Sequence, residues 1–485
     1  MAVLEKWGFC GPSYVSQAAN VDEEEAINLY CEQSESSGAR TPIALLKRAG
    51  KKVFAALPEA SVPSLFSLNG RSYAAASHFY ELGTGAGNFT LRGDLLGAPD
   101  SPTQIIANET QILVLNRGKL FVFDPVANTL TPVDMTQFDG LVSQIDFIDG
   151  FAVATLRNSH EFQVSNLEDF TTWNALNKAK ISYFPDNITS MKVDHREVWF
   201  FSGKKTVVYY NVGAGFPPFS PVPGAFIENG ADSAFATVQL DNTLFWIGRD
   251  ERGALIAYRA NGYTPQRVST HAMEYEWAQL SRTFDAVAFA YQENGHPFWC
   301  IRFPVAKVTY CYDVATQLWH KRTFWQKESG TFSADRATSH TYNFGKHLVG
   351  DWASGNVYEA STQLYDDFGE PILWERISPT ISKNNQWVEY ASVEFDIETG
   401  LPQGTPLYDT RGNVRGPEVN LQWSNNLKTW TKVFTLSCGR PGQYNTRVRK
   451  PMCGRGRKRN WKLSGSDPVP VRIADAYVDA QAQSL

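Results

Sequence analysis

From about Val62 onward, apolar and polar positions recur as one repeated unit: an apolar strand, a short polar turn and a second apolar strand. The clearest instances are NGRSYAAASHFYEL, NETQILVLNRGKLFVFDP, IDGFAVATLRNSHEFQVSN, DHREVWFFSGKKTVVYYN, LDNTLFWIGRDERGALIAYR, NGHPFWCIRFPVAKVTYCYD and FGKHLVGDWASGNVYEAS, starting near residues 69, 108, 148, 194, 240, 294 and 344. Their spacing matches the roughly 40 to 50 residues of one four-stranded propeller blade. The strands are rich in Val, Ile, Phe, Tyr and Trp and are apolar on both faces, as a blade packed between two neighbours requires. The turns NRGK, LRNSH, SGKK and GRDERG use residues that accept tight-turn dihedrals. The pattern predicts an all-β chain with a β-propeller of six or seven blades: seven if every hairpin marks a blade, six if one is used elsewhere. Two consecutive β-sandwiches are the competing arrangement.

The rhythm differs on either side. Residues 1–61 are polar and mixed and read as an N-terminal extended arm, with one short helix expected from Asp22, where Asp22 and Glu25 have capping-box spacing. TPIALLKRAGKKVFAAL follows, interrupted at Gly50. The arm has no core of its own and is expected to pack along another domain or a neighbouring subunit. The propeller is assigned to 62–378. After Pro379, NQWVEYASVEFDIETG, PEVNLQWSNNLKTWTKVF, YNTRVRK and RNWKLSGSDPVPVRIADAYVDA are strands at sandwich spacing, giving a C-terminal β-sandwich-like domain over 386–480. GLPQGTPLYDTRGNVRGP is a long polar loop within it, and AQAQSL is expected to fray.

Composition narrows the class. With 43% hydrophobic and 20% charged residues, the 485-residue chain is an ordered globular protein, and its 36 Gly, 25 Pro and 13% aromatics suit short strands broken by turns. The start, MAVLEKWGF, lacks a basic segment followed by an apolar one, and no run of 18 apolar residues occurs, so a cytoplasmic origin without a membrane-spanning segment is expected. Six cysteines form no CxxC pair; Cys300 and Cys311 are placed to face each other across a hairpin, as buried thiols in preference to a disulfide.

Enzyme signatures are missing where they would be sought. GTGAG at 83–87 lacks the third glycine of a dinucleotide fingerprint, and SGKKT at 202–206 lacks the first glycine of a phosphate loop. There is no HExxH and no GxSxG; His271 and His320 lie beside aromatics and read as packed or hydrogen-bonded. Asp366 and Asp367, adjacent in a turn, read as solvated instead of as a glycosidase pair. WSNNLKTW (423–430) is similar to a degenerate Asp-box hairpin with Asn426 at the Asp position, which is a structural turn. No catalytic, cofactor-binding or metal-ligating residue is assigned.

Charge is uneven. Between Glu418 and Asp467 there are eleven Lys and Arg and no acid, in a chain of net charge −5. Arg440, Arg447, Arg449, Lys450, Arg455, Arg457, Lys458, Arg459 and Lys462, with Tyr444 and Trp461 interleaved, are candidate contacts to phosphates or to an acidic patch on a neighbouring subunit.

Several stretches in order resemble one family: GPSYVSQAANVDEEEAINLYCE near the start, RVSTHAMEY and YCYDVATQLWHKR mid-chain, then QWSNNLKTW, GRPGQYNTRV and SGSDPVPVRIADAYV. They are similar to the packaged-DNA stabilisation proteins, also called tail hub or nozzle proteins, of short-tailed bacteriophages (podovirus tail accessory factors). Cys31, in place of a proline, and the Asn-Asn-Leu-Lys turn depart from that pattern. The resemblance implies a virion structural protein: a hexameric homo-oligomeric ring below portal and tail adaptor that extends the tail channel, helps retain packaged DNA, and attaches a tail needle or plug and tailspikes or fibres. A glycan-binding or glycan-cleaving propeller of a phage tail and a cellular propeller scaffold are the alternatives.

Overall fold

The computed structural model describes residues 5–17, 23–36, 38–99, 101–250, 252–401, 406–409 and 411–482. Among them, seven four-stranded antiparallel blades follow one another around a ring, five as separate sheets, the sixth within a 12-stranded sheet and the seventh within a six-stranded one. Six are continuous in the chain, at 64–94, 104–132, 142–180, 190–227, 238–267 and 287–326. The seventh takes three strands from 337–361, and its outermost strand is Gly50–Ala56. Each repeated hairpin supplies the second and third strands of one blade. The inner strand Ala337–Asn343 packs on Ser64–Leu68, which closes the ring.

The sequence dictates this through its turns and its two-sided apolar strands. Asn69-Gly70 and Asn294-Gly295 have positive φ at both residues, the geometry that reverses a strand without untwisting it. Buried side chains of neighbouring blades then merge into shared cores. Phe162 of the third blade stacks on Phe200 of the fourth at 4.7 Å, and Phe245 of the fifth meets Trp299 of the sixth at 5.5 Å.

The interface between the sixth and seventh blades is different. Its buried apolar cluster is small (Ala337, Val349 and Tyr358, with Phe289 against it), and polar groups fill much of the space. Arg302 lies over the Trp352 ring at 4.9 Å, and Tyr291 packs on His340 at 5.1 Å. Lys51 pairs with Asp335 at 2.6 Å, and Arg48 with Asp367 at 2.6 Å. The N-terminal segment enters the propeller here.

The C-terminal unit is a sandwich. One sheet runs Leu29–Gln33, Ile43–Lys47, Arg472–Ala482, Val388–Ile397, Val448–Pro451. The other contains Trp374–Ile377, Lys458–Gly465, Glu418–Ser424 and Phe434–Ser437, and it continues the sixth blade: Leu318–Gln326 pairs in parallel with Glu23–Ile27, which pairs with Trp374–Ile377. Leu29, Leu45, Trp374, Tyr390, Phe395 and Trp461 are among the buried side chains between the two sheets.

The described residues of 1–61, expected as an arm, thus lie across both units. The helix expected from Asp22 is corrected: Asp22 lies outside the described residues, and Glu23–Ile27 is a strand. Capping-box spacing was outweighed by strand pairing: Tyr14–Val15, Leu318–Gln326 and Trp374–Ile377 all pair with Glu23–Ile27 and satisfy its backbone in extended form. Arg376, fully buried, holds the segment down: its guanidinium donates to the carbonyls of Phe9 and Pro12, each at 2.7 Å, and pairs with Glu24. His296 bridges Asp313 of the sixth blade and Glu32 of the N-terminal segment, each at 2.7 Å.

Candidate functional site

The basic run crosses from one sandwich sheet to the other. Val448–Pro451 forms an edge of the first sheet beside Val388–Ile397, and Arg455–Gly456 pairs further along that same strand, with Arg455 opposite Glu389. Lys458–Gly465 then enters the second sheet between Trp374–Ile377 and Glu418–Ser424. Strand alternation sorts the charges. Arg459, Trp461 and Leu463 are all buried and belong to the inward face.

Of the nine candidates, Arg459 is buried in the fold, and the half-buried Lys462 and the exposed Arg447 are engaged by carboxylates. Arg459, 1% exposed, lies 4.0 Å over the Tyr390 ring, donates to Asn425 Oδ1 at 3.0 Å and to the Cys453 carbonyl at 2.6 Å. Burial pushes its guanidinium down to about 10, against the pull of Tyr390 and Cys453. It is a core residue, which corrects its place among the phosphate or subunit contacts. Lys462 pairs with Glu375 at 3.3 Å and lies over Trp430 at 4.6 Å. Arg447 donates to Glu394 at 2.8 Å.

The other six lie toward solvent or along the edge. Arg455 and Arg457 both lie over the ring of the exposed Trp387, at 5.4 and 5.3 Å. Arg449 donates to Ser392 Oγ at 2.8 Å, and Lys450 lies 4.7 Å over Phe434. Arg440 is exposed on the loop before Val448–Pro451, near the equally exposed Tyr444, and Lys458 is half-buried. Trp461, interleaved in sequence, points into the core, whereas Trp387, well outside the run, takes the surface position. The period-2 alternation of Arg459, Trp461 and Leu463 was a readable signal for the inward face; the approach of Trp387 left none.

The remaining sequence features resolve as structure. GTGAG turns between the third and fourth strands of the first blade, and SGKKT turns between the second and third strands of the fourth. Asn426 Oδ1 accepts from the backbone N–H groups of Lys428 and Thr429 at 3.0 and 2.9 Å, the role expected of it in the Asp-box-like turn. His320 is buried against Tyr30 and Phe298, whereas His271 is exposed at the start of the helix His271–Ala278. The solvated reading of Asp367 is corrected: it is buried by the Arg48 fork, while Asp366 accepts from Gly369 N–H in the turn. Cys300 and Cys311 are partners in register, both buried, with sulfurs 2.8 Å apart.

The propeller axis holds a cavity of ≈ 250 Å³ lined by Gln104, Gln144, Lys192, Thr237, Ser339 and His340, among others. Lys192 pairs with Asp146 at 2.9 Å. Burial and the neighbouring His347 push His340 down to about 3, so it is uncharged near neutrality. Among the described residues no group of three or more His, Cys, Asp or Glu is placed to hold a metal ion, and no helix is long and apolar enough to cross a membrane.

This architecture defines an all-β protein in which a closed propeller and a sandwich share one sheet. Residues 69–365 match the family described as Bacteriophage P22 Gp10, beta-propeller, and residues 373–481 match Bacteriophage P22 Gp10, beta-sandwich. The chain belongs to the bacteriophage P22 Gp10 family of phage stabilisation proteins, a structural family whose role implies no catalysis. No curated protein matches it. Among solved structures, it is similar to the N-terminal domain of Nup159, with 11% identity, TM-score 0.42, and coverage of 70% of this chain and 98% of that one. The computationally designed Ika8 protein shows 13% identity, TM-score 0.36, and coverage of 64% and 99%. PorZ of the Porphyromonas gingivalis type-IX secretion system shows 10% identity, TM-score 0.36, and coverage of 70% and 44%.

Proposed function

We propose that this protein is the tail hub, or nozzle, of a short-tailed phage, assembled in the host bacterial cytoplasm and resident in the virion tail. Six copies form a ring below portal and adaptor. The ring extends the tail channel, helps retain packaged DNA, and carries the needle or plug and the tailspikes or fibres.

Membership of the phage stabilisation family carries this reading. The fold supports it physically. The sheet that begins at the propeller axis with Val287–Glu293 runs without a break in pairing to the sandwich strand Phe434–Ser437. Propeller and sandwich are therefore joined by continuous strand pairing, and a subunit of fixed shape with a head-to-tail contact gives a ring when the rotation closes.

Mixing the purified protein with a portal–adaptor complex and imaging the particles tests the proposal. Coaxial rings stacked below the adaptor are the expected result. Absence of association at micromolar concentration overturns it.

A further inference from the structure

We infer that the outward edge of the sandwich formed by Arg449, Lys450, Arg455, Arg457 and Trp387, with Arg440 on the adjoining loop, is a docking surface for the phosphate backbone of duplex DNA. The inference rests on the hub reading for its biological setting, and on the geometry of this edge for its chemistry.

Charge selects the occupant. The partner strand Val388–Ile397 carries three carboxylates; Glu394 is engaged by Arg447, Asp396 by Arg40, and Glu389 stands opposite Arg455. The cations gathered on this edge outnumber the acids that face them, which produces a local positive field in a chain of net charge −5.

Shape selects it too. Arg455, which ends its strand with Gly456, and Arg457, in the bend that follows, both hold their guanidinium groups over the ring of Trp387, at 5.4 and 5.3 Å, and that indole is 39% exposed. A cation–π contact leaves guanidinium N–H groups free to meet anions, so the indole gathers two such cations at one exposed spot. Lys450 is propped on Phe434 and Arg449 on Ser392, so these cations are also held in place. Arg449 stands opposite the outward Glu394 and Lys450 opposite the buried Val393, so the cations flank both faces of the edge strand, and a cluster of held cations along one edge suits a linear, evenly charged polyanion. Contacts of this kind bind phosphates without reading sequence.

The test is a fluorescence anisotropy titration of the full-length protein against short random-sequence duplexes from about 50 to 200 mM salt. Arg455→Ala/Arg457→Ala is expected to weaken binding at least tenfold at the low-salt end and to reduce the slope of log K against log salt by about 2. Arg449→Ala/Lys450→Ala is expected to do the same, whereas Lys52→Ala/Lys327→Ala, which removes equal charge from the propeller surface, leaves the slope unchanged. Thermal midpoints of all variants, measured in parallel, report the fold.

Wild-type protein that fails to bind at low salt overturns the inference, as do edge variants that retain wild-type affinity and slope. Edge variants that stop forming rings on the adaptor, while the wild type binds no DNA, make the edge a subunit contact and overturn the inference with the hub reading intact. DNA binding that depends on the edge in a protein that forms no ring upholds the inference and removes the hub reading.

Discussion

Replacing Arg48 with methionine probes how the ring is locked. The guanidinium, 3% exposed, donates to Asn28 Oδ1 at 2.8 Å, to the Ala49 and Thr323 carbonyls at 2.9 and 3.1 Å, and to both Asp367 oxygens at 3.0 and 2.6 Å. It thereby ties the N-terminal segment to the outer strand of the sixth blade and to the turn after the seventh. Methionine keeps much of the aliphatic volume, but leaves Asp367 with Lys51 at 3.6 Å. Breaking a buried pair from one side costs about 3–5 kcal/mol. Lys51 is already held 2.6 Å from Asp335 and shares its charge with Asp367, which places the cost near the lower end, at about 3 kcal/mol.

If the whole chain unfolds cooperatively, its unfolding entropy is about 1 kcal/mol/K at ~2.1 cal/mol/K per residue, so the midpoint falls by about 3 °C. If the N-terminal segment peels away first as a smaller unit, the first transition shifts further and separates from the second. Scanning calorimetry distinguishes these results. Arg48→Met/Asp367→Leu is the decisive companion, because replacing both charges by apolar groups removes the stranded carboxylate and recovers most of the loss. A single variant that melts within 1 °C of wild type, or a double variant as damaged as the single, refutes the claim that the ion pair locks this junction.

Three other outcomes follow from the same geometry. Hydrogen bonding to Asp313, partly offset by burial and reinforced by Glu32, raises the His296 pKa above its usual value; the clasp is at full strength below that usual value and weakens as pH rises through the raised one, so the midpoint difference between wild type and His296→Gln shrinks on going from slightly acidic to alkaline buffer. Gly355→Ala would set a Cβ 2.1 Å from the Leu57 carbonyl oxygen and 2.5 Å from that of Glu59, and should lower the midpoint by several degrees in calorimetry. Phe54→Ala removes a buried ring from the closing strand, at a cost of about 3–5 kcal/mol, and should increase proteolysis near residues 48–63 before any cut in the middle blades.

The seven hairpins were legible because each is local: strand, turn and strand lie within about twenty residues and are apolar on both faces. The closing strand was not. Gly50–Ala56 pairs with Asn356–Ser361, so Ala56 and its partner Asn356 are 300 positions apart. Gly50, which reads as an interruption, is where the backbone passes the Leu364 and Asp366 carbonyls; a Cβ there would stand 2.5 Å from both oxygens. The basic edge was legible as composition but not as geometry. Its run named the cations, one of which, Arg459, the strand alternation turns inward; the residue that organises Arg455 and Arg457 is Trp387, about seventy positions away and joined to them only through cross-strand pairing.

Those long-range pairings impose an order on folding. The middle blades are each complete in sequence and can form as the chain emerges. The seventh blade needs both residues 50–56 and 356–361, and the sandwich needs Ile43–Lys47 to meet Arg472–Ala482. Loop-closure entropy opposes both steps until the intervening chain has collapsed, so ring closure and sandwich formation come late and support each other through Arg48, His296 and Arg376. Closing the propeller through Gly50–Ala56 also brings the adjoining strand Ile43–Lys47 to the place where Arg472–Ala482 pairs with it, which couples the two late steps.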